Sequence, residues 1–346
     1  MKAYQLTAWQ SSPEMREVEV PEPGPGQVLI KVGGAGACHS DLHLMEWPEG
    51  TMDFDLPFTL GHENAGWVEA LGAGVEGLER GEPVIVYGPW GCGRCRACRS
   101  SAENHCERQS EIGAFGGGLG LDGGMAEYML VPHPRLLLPL GELDPRDAAP
   151  LSDAALTPYH AIKRSLPLLH PGSTAVVIGV GGLGHMAVQI LRAITPARVI
   201  AVDTSSEKLR LAREVGAEET LEPGADAAER IRELTGGLGA ELVVDHVGAD
   251  ETIALGAQVS RFASDVTIVG LAGGKFEFAF GAMPFDATLT VPYWGSAIEL
   301  LEVLDLARAG RIVPHVERFP LDRVEDAYDR MREGSLEGRA VICPHG

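Results

Sequence analysis

Gly179-x-Gly181-Gly182-x-Gly184 stands at the end of the apolar run Ser173–Gly181 and opens a helical pattern. That placement constrains the fold more than any other feature. Glycines between a strand and a helix let the backbone approach a pyrophosphate at the positive end of the helix. Leu183, Met186, Ala187, Ile190, Leu191 and Ile194 fall on one face of the predicted helix. Arg198–Asp203 reads as a second strand, and Thr204-x-x-Glu207 as a capping box for the next helix, with Gly216 as its stop. Glu241–Gly248 and Asp265–Leu271 are further apolar strands separated by helical segments. This alternation predicts an α/β, doubly wound parallel sheet of the Rossmann type.

The same segment predicts the ligand. Asp203 ends the second strand, where a carboxylate accepts hydrogen bonds from both hydroxyls of an adenosine ribose. A 2′-phosphate would face that charge, and no arginine follows immediately, so NAD is expected rather than NADP. Lys208 is placed to reach the ribose from the following helix. Gly179, Gly181, Gly182, Leu183, Gly184, Val247 and Val269 are the other cofactor-lining positions of this region.

The first 150 residues differ in texture. Val28–Val32, Gly66–Leu71, Pro83–Tyr87 and Ala126–Val131 are short β-type runs bounded by turn residues, and Pro21–Gln27 is a rigid entry turn. The expected domains are 1–153, mostly antiparallel β; 154–291, dinucleotide-binding; and 292–346, returning to the first. Cys92, Cys95, Cys98 and Cys106 lie in a lobe at about 88–110. Four thiolates at this spacing close on one tetrahedral structural Zn²⁺. Disulfides are disfavoured, because no signal peptide precedes Met1 and a chain of 346 residues does not depend on staples.

Composition excludes several classes. A net charge of −21 opposes nucleic-acid or anionic-membrane partners, which require cationic surface. No apolar run is long enough for a membrane span, and a cytoplasmic location is expected.

Outside the cysteine lobe, Cys38 (in GACHSDLH) and His62 (in GHE) are candidate ligands of a second, catalytic zinc, which needs three protein ligands and an open position. Asp153 is the preferred third ligand and His160 the competitor. Glu63 is an adjacent carboxylate for transient binding.

Together these segments resemble the zinc-dependent medium-chain alcohol dehydrogenases, and most of all the bacterial NAD-dependent secondary alcohol dehydrogenases. The resemblance is carried by Cys38-His-Ser-Asp-Leu-His43, Gly61-His62-Glu63, Tyr87–Gly93, the four-cysteine lobe, Leu156–Ala161 and Val177–His185, in that order. It implies a GroES-like catalytic domain beside the Rossmann domain, two zinc ions per chain, and a homodimer or homotetramer. By position, Cys38, His62 and Asp153 match the catalytic zinc ligands. Ser40 matches the hydroxyl beside the substrate oxygen, and His43 the outer end of a proton relay. His39 matches a position near the pyrophosphate, and Thr157 one beside the nicotinamide. The implied chemistry is zinc acting as a Lewis acid on an alcohol, hydride passing to nicotinamide, and the proton leaving through Ser40, the cofactor ribose and then His43.

Substrate is the least determined property. Phe54, Trp90, Leu119, Tyr293 and Trp294 could line an apolar pocket, each equally explained by core or subunit packing, and Phe54, Leu119 and Trp294 are the chosen candidates. The expected substrates are secondary or primary alcohols and the matching ketones or aldehydes. The alternatives are a polyol or amino-alcohol dehydrogenase and, from another class, a nucleotide-binding structural protein without turnover.

Overall fold

The computed structural model describes residues 1–346. The chain divides into two compact units. One contains Met1–Ala154, Ser296–Arg308 and Val316–Gly346; the other contains Ala155–Gly295 and Ala309–His315.

The first unit is built on a seven-stranded sheet and a three-stranded sheet. In the larger sheet the order is Leu137–Pro139, Pro83–Val86, Glu63–Leu71, Val28–Gly36, Arg339–Cys343, Val316–Pro320, and Tyr128–Val131 also pairs with Val28–Gly36. Neighbours are antiparallel except for the last two strands, which run parallel. Val28–Gly36 is buried along its length apart from Lys31, so it reads as a nearly continuous apolar run rather than an alternating one. Gly36 lies opposite Glu63 on one side and Val341 on the other. A Cβ at Gly36 would fall 1.8 Å from Glu63 Oε2, so only glycine leaves room for that carboxylate.

The second unit carries a six-stranded, all-parallel sheet in the order Glu219–Leu221, Arg198–Val202, Thr174–Ile178, Ala240–Asp245, Ser260–Ile268, Thr288–Thr290. This is the doubly wound order of a dinucleotide-binding sheet, reversing between Thr174–Ile178 and Ala240–Asp245. Val176, Ile178, Ile200, Val202, Val243 and Val266 fill its core. Burying each such side chain contributes about 1.5–3 kcal/mol, which is the main force holding helices onto the sheet.

Two local expectations are corrected. The cap of helix Ser206–Glu214 is Ser205, one residue later than Thr204, because its hydroxyl is the one that accepts the Lys208 amide. The return to the first unit is also not continuous over 292–346. Residues 292–295 and Ala309–His315 group with the nucleotide unit. The second segment is tied there by the Gln189 amide, which donates to Val313 O at 2.9 Å and accepts from Val313 N at 2.8 Å.

Candidate active site

The helix His39–Glu46 begins where strand Val28–Gly36 ends, and Cys38 is its N-cap residue. Asp41 reaches back one turn, and its Oδ2 accepts the Cys38 amide at 2.9 Å. His62 precedes strand Glu63–Leu71, the antiparallel neighbour of Val28–Gly36, so the sheet register brings it to the same end as Cys38. Asp153 follows the 3-10 turn Ala149–Ser152. One donor atom from each of Cys38, His62 and Asp153 lies within 4.8 Å of the others. Cys38 and His62 are buried, and Asp153 is only slightly exposed. His160 is not part of this cluster.

A sulfur, a nitrogen and an oxygen with two formal negative charges fit a Zn²⁺ ion, and three ligands are what a catalytic zinc site supplies. His62 Nδ1 lies 3.2 Å from Asp41 Oδ1, and its Nε2 lies 3.6 Å from Asp153 Oδ2. The ring is thereby oriented with Nε2 toward the other ligands, as a metal-binding imidazole requires. Burial would lower the His62 pKa, but the carboxylates of Asp41 and Asp153 outweigh it and hold it well above the ordinary range. For Cys38 burial acts upward, and the Arg339 guanidinium and His62 turn the balance downward, favouring thiolate.

Glu63 is held elsewhere. It is fully buried, accepts hydrogen bonds from Arg339 Nε at 2.9 Å and from Arg339 Nη2, and accepts the Ala154 amide at 3.0 Å. Burial pushes its pKa up to about 7, against the opposing pull of Arg339. With its oxygens engaged in this way, it stands outside the three-residue cluster. Through the Ala154 amide, Glu63 instead braces the backbone just after Asp153.

Ser40 is half-buried, with Oγ 3.5 Å from Cys38 Sγ. His43 is half-buried one turn further along the same helix and stacks on Trp47. His39 is exposed at the helix start. Phe54 packs against Trp9, Phe58 and Phe115, whereas Leu119 is half-buried in the glycine-rich loop. Trp90 is a core residue whose Nε1 donates to Tyr87 O at 3.0 Å.

The four sulfurs of Cys92, Cys95, Cys98 and Cys106 also converge within 4.8 Å, and none forms a disulfide. Backbone amides of Cys95 and Cys98 donate to Cys92 Sγ and Cys95 Sγ, and those of Cys92 and Arg108 both donate to Cys106 Sγ. The Arg94 and Cys95 amides bring the Cys92 thiol down to about 6 despite its partial burial. Amides aimed at sulfur suit thiolates, and four thiolates suit a closed zinc site.

In the nucleotide unit, Gly179 adopts a φ of +82°, and a Cβ on Gly184 would collide with Gly179 O at 1.8 Å. A Cβ on Gly181 would meet nothing within 4 Å. The protein's own packing therefore does not require glycine there, and the space beside it is open. Asp203 Oδ2 accepts the Val180 amide at 2.7 Å and Oδ1 the Ser205 amide at 2.9 Å. This holds the carboxylate beside the glycine turn with lone pairs left for a ribose. Gly182, Leu183, Lys208, Val247 and Val269 are half-buried at the same end of the sheet. Thr157 and Trp294 are buried within this unit.

Comparison with known proteins agrees with this geometry. Residues 24–142 match the alcohol dehydrogenase GroES-like domain, and residues 182–307 match the zinc-binding dehydrogenase family. The chain is 35% identical to D-arabinose 1-dehydrogenase (NADP(+)) of Saccharolobus solfataricus, covering 99% of this chain and 97% of that protein. It is 34% identical to an NAD-dependent alcohol dehydrogenase of Sulfurisphaera tokodaii, over 99% and 100%. The crystal structure of the alcohol dehydrogenase from Aeropyrum pernix superimposes with a TM-score of 0.91 at 35% identity, covering 99% of this chain and 100% of that one. A GroES-like domain, a doubly wound nucleotide sheet and two clusters of zinc-type ligands define a class of oxidoreductase. The chain belongs to the zinc-dependent medium-chain alcohol dehydrogenase family.

Proposed function

We propose that this protein is an NAD-preferring dehydrogenase of small to medium alcohols, secondary alcohols first, acting reversibly on the matching ketones and aldehydes. The observation that carries this reading is the convergence of Cys38, His62 and Asp153 beside the Ser40 hydroxyl. When bound, the zinc supplies Lewis acidity to the substrate oxygen and the dinucleotide takes up the hydride. Ser40 Oγ would take up the substrate's hydroxyl proton as its own proton passes on to the cofactor ribose. His43, on the same helical face, passes a proton on from there towards water. Asp41 Oδ1 faces His62 Nδ1 at 3.2 Å and so orients the ring electrostatically. Asp203 binds the adenosine ribose, and its charge disfavours a 2′-phosphate. Phe54, Leu119 and Trp294 are proposed to shape the apolar part of the substrate site.

A panel of secondary, primary, polyol and aldose substrates, with both enantiomers and with NAD⁺ and NADP⁺, read at the NADH or NADPH absorbance, tests this reading. Strong preference for an aldose with NADP⁺ would move the assignment toward the activity named for the Saccharolobus relative.

The chain is further proposed to form a homodimer or homotetramer. Phe262, Phe280 and Phe285 form an exposed cluster of neighbouring rings, 68%, 97% and 57% accessible, on a unit in which Thr288–Thr290 is one of the two edge strands. Large exposed apolar groups of this kind mark association surfaces. Light scattering on the purified protein reads the state directly. Two sets of unpaired thiols favour a reducing compartment such as the cytoplasm. No helix is long and apolar enough to cross a membrane.

A further inference from the structure

We propose that Tyr328 is a positioning residue of the metal centre: through Asp41 its phenol fixes the imidazole of His62 and the backbone of Cys38, and so governs how firmly the centre holds its ion. The inference rests on the reading of Cys38, His62 and Asp153 as metal ligands.

Tyr328 lies in the helix Val324–Arg332, far along the chain from these ligands, and is completely buried. Its hydroxyl donates to Asp41 Oδ2 at 3.0 Å. Asp41 is itself completely buried, and one carboxylate spans both ligands. Oδ2 also accepts the Cys38 amide at 2.9 Å, and Oδ1 lies 3.2 Å from His62 Nδ1. A carboxylate in a dry site is oriented only by the donors that surround it. Without the phenol, Oδ2 keeps only the amide of Cys38. The plane of the carboxylate, and with it the orientation of the His62 ring, is then less firmly fixed. Outer groups of this type orient metal ligands and raise their basicity.

The position of Tyr328 is determined independently of the ligands. Its ring stacks on Tyr4 at 6.2 Å and 24°. The Tyr4 hydroxyl bonds to Glu325, on the same helix as Tyr328. The Met125 thioether closes the other side of the Tyr328 oxygen at 3.1 Å. A phenol held this way acts as a fixed donor rather than one that follows Asp41.

The test follows zinc release from the purified zinc-loaded enzyme into excess 4-(2-pyridylazo)resorcinol, by absorbance. Wild type should release two pools, and Cys38→Ser should lack the one belonging to the catalytic centre. Tyr328→Phe keeps the buried ring and its stack, and should release that pool about tenfold faster, leaving the cysteine-lobe pool unchanged. In an Asp41→Asn background, Tyr328→Phe should add little, because the phenol acts through that carboxylate. Wild-type release from Tyr328→Phe with only a lower melting temperature would reduce the residue to packing and overturn the proposal. An equal effect in both backgrounds would overturn the route through Asp41. If Cys38→Ser keeps both pools, the ligand assignment beneath the proposal fails instead.

Discussion

Arg339 grips Glu63 through two hydrogen bonds in a site where both side chains are almost wholly excluded from water, although 276 residues of chain separate them. Breaking a buried pair from one side leaves an uncompensated charge, which typically costs about 3–5 kcal/mol. Arg339→Met should therefore destabilise the catalytic unit by about that much in urea unfolding. It should also weaken the metal centre, since Asp153 Oδ2 lies 3.7 Å from the same guanidinium. The double variant Glu63→Met/Arg339→Met should recover much of the stability. A single variant that melts like wild type would mean that the pair is energetically idle.

The two ligand clusters should behave differently. Elemental analysis should find about two zinc ions per chain, from one three-ligand and one four-ligand site. Cys38→Ser should abolish turnover while keeping one zinc and the fold. Cys95→Ser should lower thermal stability instead, because the lobe loses its closing ion. Asp153→Ala should lose the catalytic metal and His160→Ala should retain it. The reverse pattern would shift the third ligand to His160.

Cofactor choice should depend on Asp203. Losing a charged hydrogen-bond acceptor at the ribose should cost roughly 1.5–3 kcal/mol of NAD⁺ affinity. Because its two oxygens also hold the Val180 and Ser205 amides, Asp203→Gly should loosen the glycine turn as well. NADH fluorescence titration should show weaker binding, and the ratio of kcat/KM for NADP⁺ over NAD⁺ should rise with zinc content unchanged. An unmoved ratio would remove Asp203 from the specificity argument.

His246 should make stability fall in mild acid. Both ring nitrogens are buried without a hydrogen-bond partner, and burial lowers the pKa from 6.5 to about 3. The unfolded chain therefore binds a proton that the folded chain refuses between those values. The neutral ring's contribution is fully present above pH 6.5 and is lost as pH falls towards 3, at up to about 1.4 kcal/mol per pH unit. His246→Leu removes two unsatisfied polar atoms and should flatten urea-derived stability between pH 6.5 and 4.5. A mutant with the same slope as wild type would show that the imidazole is protonated in the fold.

The nucleotide unit was the most legible part of the sequence. Four of its six strands are apolar runs that the local pattern reveals, whereas the edge strands Glu219–Leu221 and Thr288–Thr290 are short and only partly buried and carry no such pattern. Thr204 and Ser205 are both good caps, and nothing in the sequence decides between them. The candidate metal ligands Cys38 and His62 were legible because they sit in short, distinctive segments, and the six cysteines are few. Their supports were not. Asp41 carried a faint signal, lying three residues past Cys38, where a carboxylate reaches a helix cap. Arg339 and Tyr328 carried none, because each meets its partner only after the sheet has placed strands from opposite parts of the chain side by side. The seam at Ala309–His315 was missed for the same reason, being set by the tertiary contact between Gln189 and Val313.

The interleaving of the two units sets an order of assembly during synthesis. The nucleotide unit is nearly complete once Gly295 has been made, lacking only the Ala309–His315 segment. At that moment Val28–Gly36 still lacks its neighbour Arg339–Cys343, and Glu63 has no counter-ion. Domains tend to fold as units as they emerge. Here the unit that begins the chain waits, partly open, for its own last segments, which are made after most of the nucleotide unit. Cys38, His62 and Asp153 are all made early, but Tyr328 and Arg339, which brace Asp41 and Glu63 beside them, arrive only with those segments.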